Sequence, residues 1–99
     1  IDPYSEVGRW WYDGEEIDLV ALAPDADRIL FGECKWTSDP VGRNLARQLE
    51  QKAEEVRWGS PTRNEEFVLF SKTGFTDELA ESLDNRWSLF DLERLESIF

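Results

Sequence analysis

Gly14-Glu15-Glu16-Ile17-Asp18-Leu19-Val20 and, beyond a short turn, Gly32-Glu33-Cys34-Lys35-Trp36 decide how this chain folds. Each lies in a run rich in Ile, Leu, Val and Phe, so their charges belong to strands rather than loops. Glu33 and Lys35 stand two apart and share one face of a strand. If residues 24–27 form a symmetric hairpin turn, residues whose numbers sum to 51 face each other, pairing Asp18 with Glu33 and Glu16 with Lys35. Two carboxylates directly opposite each other repel, their side chains starting only about 5 Å apart. A fold keeps such a pair when a cation sits between them, and a divalent metal is one candidate. Arg9 is another. If Asp13-Gly14 closes a two-residue hairpin, Arg9 falls opposite Asp18 and neutralises the pair, leaving Glu16 and Lys35 as an ordinary cross-strand ion pair.

Working outward, residues 7–12 read as a first strand carrying the aromatic block Trp10-Trp11-Tyr12, residues 16–23 as a second and residues 28–36 as a third. The third strand is apolar on both faces apart from its two charges, which predicts a central strand covered on both sides. Asp39-Pro40 is read as a helix start, Asp39 capping and Pro40 in the first turn. Leu45, Leu49, Ala53 and Val56 carry that helix at helical spacing to about Trp58, where Gly59-Ser60-Pro61 stops it. A fourth strand at 66–72, a short helix at 76–85, a fifth strand at 87–90 and a last helix at 92–99 complete a βββαβαβα order. Too few residues precede Arg9 to form a covering helix, so one sheet face is expected to be bare or covered by another chain.

The 99 residues fit one domain spanning 1–99. No apolar run is long enough to cross a membrane as a helix, and no signal peptide is visible, so a cytoplasmic setting without a membrane partner is expected. The single cysteine, Cys34, excludes an internal disulfide, and with no His in the chain any metal must be held by oxygen. Oxygen ligands favour hard cations such as Mg²⁺ or Mn²⁺. The net charge is −11, with only Lys35, Lys52 and Lys72 beside eight Arg. That balance opposes nonspecific grip on nucleic-acid phosphates and suits a protein adapted to molar salt, where high charge is screened. Stability is then expected to rise steeply from low to molar KCl; equal melting temperatures at both would remove this expectation. No Gly-rich loop ending in Lys-Ser or Lys-Thr is present, so the chain holds no P-loop nucleotide site.

A strand-borne Asp18, then Glu33-Cys34-Lys35 on the next strand, then a helix and another strand, resembles the PD-(D/E)XK nuclease superfamily. A longer pattern adds to this: Gly8-Arg9-Trp10-Trp11, Glu15-Glu16-Ile17-Asp18, Phe31-Gly32-Glu33-Cys34-Lys35-Trp36 and Phe70-Ser71-Lys72-Thr73-Gly74-Phe75-Thr76. Together they look like the C-terminal nuclease-like domain of archaeal P-loop ATPases, over essentially the whole chain. The resemblance implies an α/β, restriction endonuclease-like fold with a central mixed sheet flanked by helices and the superfamily's first helix missing. It also implies attachment to an N-terminal ATPase domain, DNA as a partner, and metal-dependent phosphodiester hydrolysis.

Asp18, Glu33 and the backbone carbonyl of Cys34 would then hold Mg²⁺ or Mn²⁺, with Asp18, Glu33 and Lys35 as the catalytic set. Glu16 is expected to pair with Lys35. Gln48, Gln51 and Lys52 are read chiefly as solvated helix surface, although that region approaches the site in the superfamily. Arg43 and Arg47 share a helix face and are expected to pair with Glu50 and Glu54. Trp10, Trp11 and Trp36 suit either base stacking or a core and domain contact. Cys34 reads as a small buried apolar residue. Competing functions remain: a noncatalytic regulatory or DNA-docking module, and a protein-interaction module that forms a homodimer through an uncovered sheet face or edge.

Overall fold

The first hairpin turns at the expected place: Tyr12 pairs with Glu15, and Gly14 takes the φ of 80° that a tight hairpin needs. The computed structural model describes residues 5–12 and 14–91. The strands joined there are β1 (Glu6–Tyr12) and β2 (Glu15–Ala23). A 3₁₀ turn, Pro24–Ala26, ends on Asp27 in the left-handed region (φ 48°, ψ 48°), which Asp tolerates better than most residues. Both Asp27 carboxylate oxygens accept from Ser60, through its amide and its hydroxyl, and the Asp27 carbonyl accepts the Asn64 amide at 2.8 Å. This tie fastens the turn after β2 to the segment around Asn64.

Next come β3 (Arg28–Lys35), α1 (Arg43–Glu55), β4 (Asn64–Ser71), α2 (Asp77–Ser82) and β5 (Trp87–Asp91). The sheet order is β1-β2-β3-β4-β5, antiparallel as far as β3 and parallel from β3 to β5, so the sheet is mixed and β3 is central. The two crossovers, β3-α1-β4 and β4-α2-β5, step across the sheet in the same direction. With right-handed connections both helices must lie on one face. Accordingly Leu49 and Ala53 of α1 and Leu79 of α2 share one buried cluster with Ile29, Phe31, Phe67 and Leu69. Trp87 closes it, stacking on Phe67 at 4.4 Å between ring centroids.

The expectation of a β3 covered on both faces holds for the helix side. On the other side no described helix packs. Gly32 belongs to that second face, where a Cβ would meet Val68 Cγ1 at 2.9 Å and Leu19 Cβ at 3.1 Å, so only Gly lets β2 and β4 side chains close over β3.

Element ends differ from the sequence reading for long-range reasons. The first helix begins at Arg43, not at Asp39-Pro40, because Val41 is held extended in a bridge to Phe75, donating to the Gly74 carbonyl and accepting from Thr76. It ends at Glu55 rather than Trp58, because the Arg63 guanidinium draws off the carbonyls of Ala53, Val56 and Trp58 at 2.7–2.9 Å. The fourth strand starts earlier, at Asn64. The second helix is shorter, with Thr76 capping it by accepting the Leu79 amide at 3.1 Å. The helix expected at 92–99 lies outside the described residues.

Candidate functional site

Alternation along β2 fails at one place, and the acidic pair is there. Trp10 pairs with Ile17, whereas Gly8 pairs with Val20, so Arg9 alone on β1 faces both Asp18 and Leu19 on β2. This is a β-bulge, a device that turns a side chain out of its regular direction. On the other edge of β2, residues summing to 51 do pair, but only from Ala23–Arg28 to Leu19–Gly32, where the regular ladder stops. Asp18 and Glu33 are therefore not ladder partners as the hairpin count predicts. Continuing that register would set Ile17 opposite Cys34. The Cys34 amide instead donates to Asp18 Oδ2 at 3.0 Å, so a carboxylate oxygen takes a position that a backbone carbonyl would fill.

This brings the Asp18 and Glu33 carboxyls together. Glu33 is only 7% exposed. Burial is the largest cause that lifts its pKa from 4.5 to about 7, followed by the adjacent Asp18 carboxyl. The Lys52 ammonium opposes the shift, standing 3.2 Å from Glu33 Oε1 and donating to the Glu16 carbonyl at 2.8 Å. Lys52 reaches the site because its position borders the buried stripe of Leu49 and Ala53, so its stem runs over the core and its head emerges at the carboxylates. The reading of Lys52 as helix surface is corrected here. The signal was its spacing from Leu49, three positions along the helix.

Neither alternative partner neutralises the pair. Arg9, which is exposed, bonds to the half-buried Glu16 at 3.5 Å. The expected Glu16–Lys35 pair is thus replaced by Glu16–Arg9. Lys35 follows Glu33 by two residues, on the same face and roughly 7 Å further along the strand, and is exposed. Cys34 is exposed too, contrary to its reading as a buried residue, because it lies on the face without a described helix, where β2 has diverged. Although the residue is exposed, partial desolvation of its thiol, then the Asp18 and Glu33 carboxyls, raise its pKa. Arg43 pairs with Glu78 of α2 at 3.0 Å rather than with its own helix.

Among the described residues no group of three or more His, Cys, Asp or Glu could cage an ion. The donor set is two carboxylates, each with one oxygen committed in the protein: Asp18 Oδ2 to the Cys34 amide and Glu33 Oε1 to Lys52. A strand residue sends its N–H and C=O to the same edge, so the Cys34 carbonyl also points toward Asp18. One or two carboxylates, a carbonyl and several retained waters are what Mg²⁺ takes, and the residues present fit it. A polar cavity of about 350 Å³, lined by Glu15, Gln48, Gln51, Lys52 and Glu55, opens beside the Lys52 ammonium. A larger one of about 700 Å³ lies around Val56, Arg57, Trp58 and Pro61 and includes neither carboxylate.

The chain is 34% identical over 92 residues to an uncharacterized protein (MJECL04) of Methanocaldococcus jannaschii. That alignment covers 91% of this chain and 19% of the relative, so the chain spans about a fifth of the relative's length. No solved structure matches it significantly. Among the described residues no helix is long and apolar enough to cross a membrane. Residues 2–58, which hold the bulge, both carboxylates and Lys52, match the model of DUF234, described as archaea bacterial proteins of unknown function, and the chain belongs to that family.

Proposed function

We propose that this chain is a metal-dependent nuclease-like domain of the restriction-endonuclease type, acting on DNA phosphodiesters as part of a larger archaeal ATPase. The observation that carries this reading is the acidic pair Asp18–Glu33, brought together where a bulge breaks the β2 ladder and only partly compensated by Lys52. A fold gains nothing from two adjacent carboxyls, one of them buried, unless a cation joins them. The resemblance of Glu33-Cys34-Lys35 to the superfamily motif agrees with it, and attachment to a larger protein agrees with the small share of the relative that the chain spans.

When bound, Mg²⁺ or Mn²⁺ would polarise a phosphate and lower the pKa of a bound water. Asp18, Glu33 and the Cys34 carbonyl would hold it. The Cys34 amide fixes the Asp18 rotamer, and Lys52 fixes that of Glu33. Lys35, on the same face as Glu33, orients the attacking water and meets the charge that develops on the phosphate, where a positioned cation has most effect. Mn²⁺-dependent cleavage of a fluorescent DNA strand should fall about 100-fold or more in Asp18→Asn and in Lys35→Ala. Equal rates in the parent and both variants would contradict these roles. A domain that binds DNA and metal without cleavage would instead be a docking module.

A further inference from the structure

The Glu33 carboxylate already has a cation. Lys52 Nζ stands 3.2 Å from Glu33 Oε1 and also donates to the Glu16 carbonyl at 2.8 Å. The contact is withdrawn from water, the Lys52 side chain being only 20% exposed. An ammonium carries three N–H groups, and these two contacts use two of them. Beside it opens the polar cavity of about 350 Å³, which Lys52 lines together with Glu15, Glu55, Gln48 and Gln51. A pair kept for stability alone gains nothing from such a space, since close packing would serve it better. This space is bordered by two further carboxylates and two side-chain amides, all of them able to accept from an ammonium.

An ion shared by Asp18 and Glu33 would bring two positive charges to a carboxylate that holds an ammonium at Oε1. Like charges on one carboxylate oppose each other, and more strongly where water is excluded. Lysine suits a cation that has to give way, being a compact charge on a flexible four-carbon stem. A forked guanidinium would stay locked in place. We infer that Lys52 is an internal competitor for the divalent ion. It keeps the acidic pair assembled until the ion arrives, and ion binding turns its ammonium off Glu33 toward Glu15 and Glu55 in the cavity. This inference rests on the reading of Asp18 and Glu33 as a metal site. It adds the regulation of that site: Lys52 sets how much divalent ion is needed to fill it. Lys52 meets neither the phosphate nor the attacking water in this scheme and is a positioning residue.

The test is calorimetric titration of Mn²⁺, in molar KCl at pH 8, into the parent, Lys52→Met and Lys52→Arg. Met keeps an apolar stem along the core edge of α1 and removes the charge. Its Kd should fall about tenfold or more, while Lys52→Arg, which keeps the charge, should bind no tighter than the parent. A second readout uses the parent itself. The chain has three lysines, Lys35, Lys52 and Lys72, so ¹³C labelling at lysine Cε gives a spectrum simple enough to assign. The Lys52 signal should move as Mg²⁺ fills the site and stay in place in Asp18→Asn. Equal or weaker Mn²⁺ binding by Lys52→Met would overturn the inference, weaker binding making Lys52 a support of the ion. A Lys52 signal unmoved at saturating Mg²⁺ would overturn it too, whether or not the Met variant folds. Either result with Mn²⁺ bound by the parent overturns the competitor alone. Absent Mn²⁺ binding in all three proteins removes the site reading and the competitor with it.

Discussion

Glu33→Gln is expected to make the metal-free protein more stable at pH 8, by about 2–3 kcal/mol, or a rise in melting temperature of roughly 10–20 °C. Glu33 carries a folded-state pKa of about 7 against an ordinary 4.5, through burial first and the Asp18 carboxyl second. A raised folded pKa means that the proton favours the folded state. That contribution is complete below pH 4.5, shrinks as pH rises from there to 7, and is gone above it. Above pH 7 the folded protein therefore holds a buried carboxylate beside a second one, at a cost of about 3 kcal/mol for this shift. Gln removes the charge yet keeps an oxygen for Lys52 and an N–H for Asp18, so it mimics the protonated acid. Below pH 4 the two proteins should melt together. Saturating Mn²⁺ should stabilise the parent by about 3 kcal/mol at one hundred times its Kd and leave Glu33→Gln unchanged. A variant equal to or weaker than the parent at pH 8 without metal would refute the buried-charge account. A substitution that stabilises the fold while abolishing ion binding is the mark of a residue kept for function.

Arg63→Met should destabilise the protein by about 3–5 kcal/mol, enough to lower its melting temperature by roughly 15 °C or more. Its guanidinium is nearly buried, its side chain 10% exposed, and it donates to the carbonyls of Ala53, Val56 and Trp58 and to Glu65 Oε2. It lies 5.6 Å from the Phe31 ring centroid. Ala53 lies in the last turn of α1, where its carbonyl also accepts the Val56 amide, while Val56 and Trp58 follow the helix, so one planar group gathers the chain at the helix end and complements its dipole. Met fills a similar volume but takes the guanidinium from the Val56 and Trp58 carbonyls at low exposure, which is where such losses are largest. Arg63→Lys should recover only part, since an ammonium cannot fork to three carbonyls and a carboxylate. A loss below about 1 kcal/mol in the Met variant would show that water satisfies the helix end.

Much of the fold could be read from local chemistry. The Asp13-Gly14 pair in the sequence announces the first hairpin, where Tyr12 meets Glu15, and the 24–27 turn sets a register that holds from Leu19 to Ala23. The strands and both described helices followed from periodicity. What could not be read was non-local. The bulge at Asp18–Leu19 carries no Gly or Pro to announce it, so Asp18 was placed opposite Glu33 in a regular ladder rather than under the Cys34 amide. Asp39-Pro40 looked like a helix start, but the bridge from Val41 to Phe75 delays the helix to Gly42 and Arg43. Arg63 gave no signal at all, because its partners are carbonyls that only the folded chain assembles. Within the site, the motif spacing found Asp18, Glu33 and Lys35. Lys52 reads as surface in the sequence because a lysine head belongs in water, and only the folded chain shows its stem crossing the core to the carboxylates.

A cation joining Asp18 and Glu33 is the centre of the proposed chemistry. Calorimetric titration of Mn²⁺ into the parent chain and into Asp18→Asn, in molar KCl at pH 8, tests this directly. One saturable site in the parent that is lost in Asp18→Asn is the predicted result. The same heats in both proteins, whether binding or none, would contradict it.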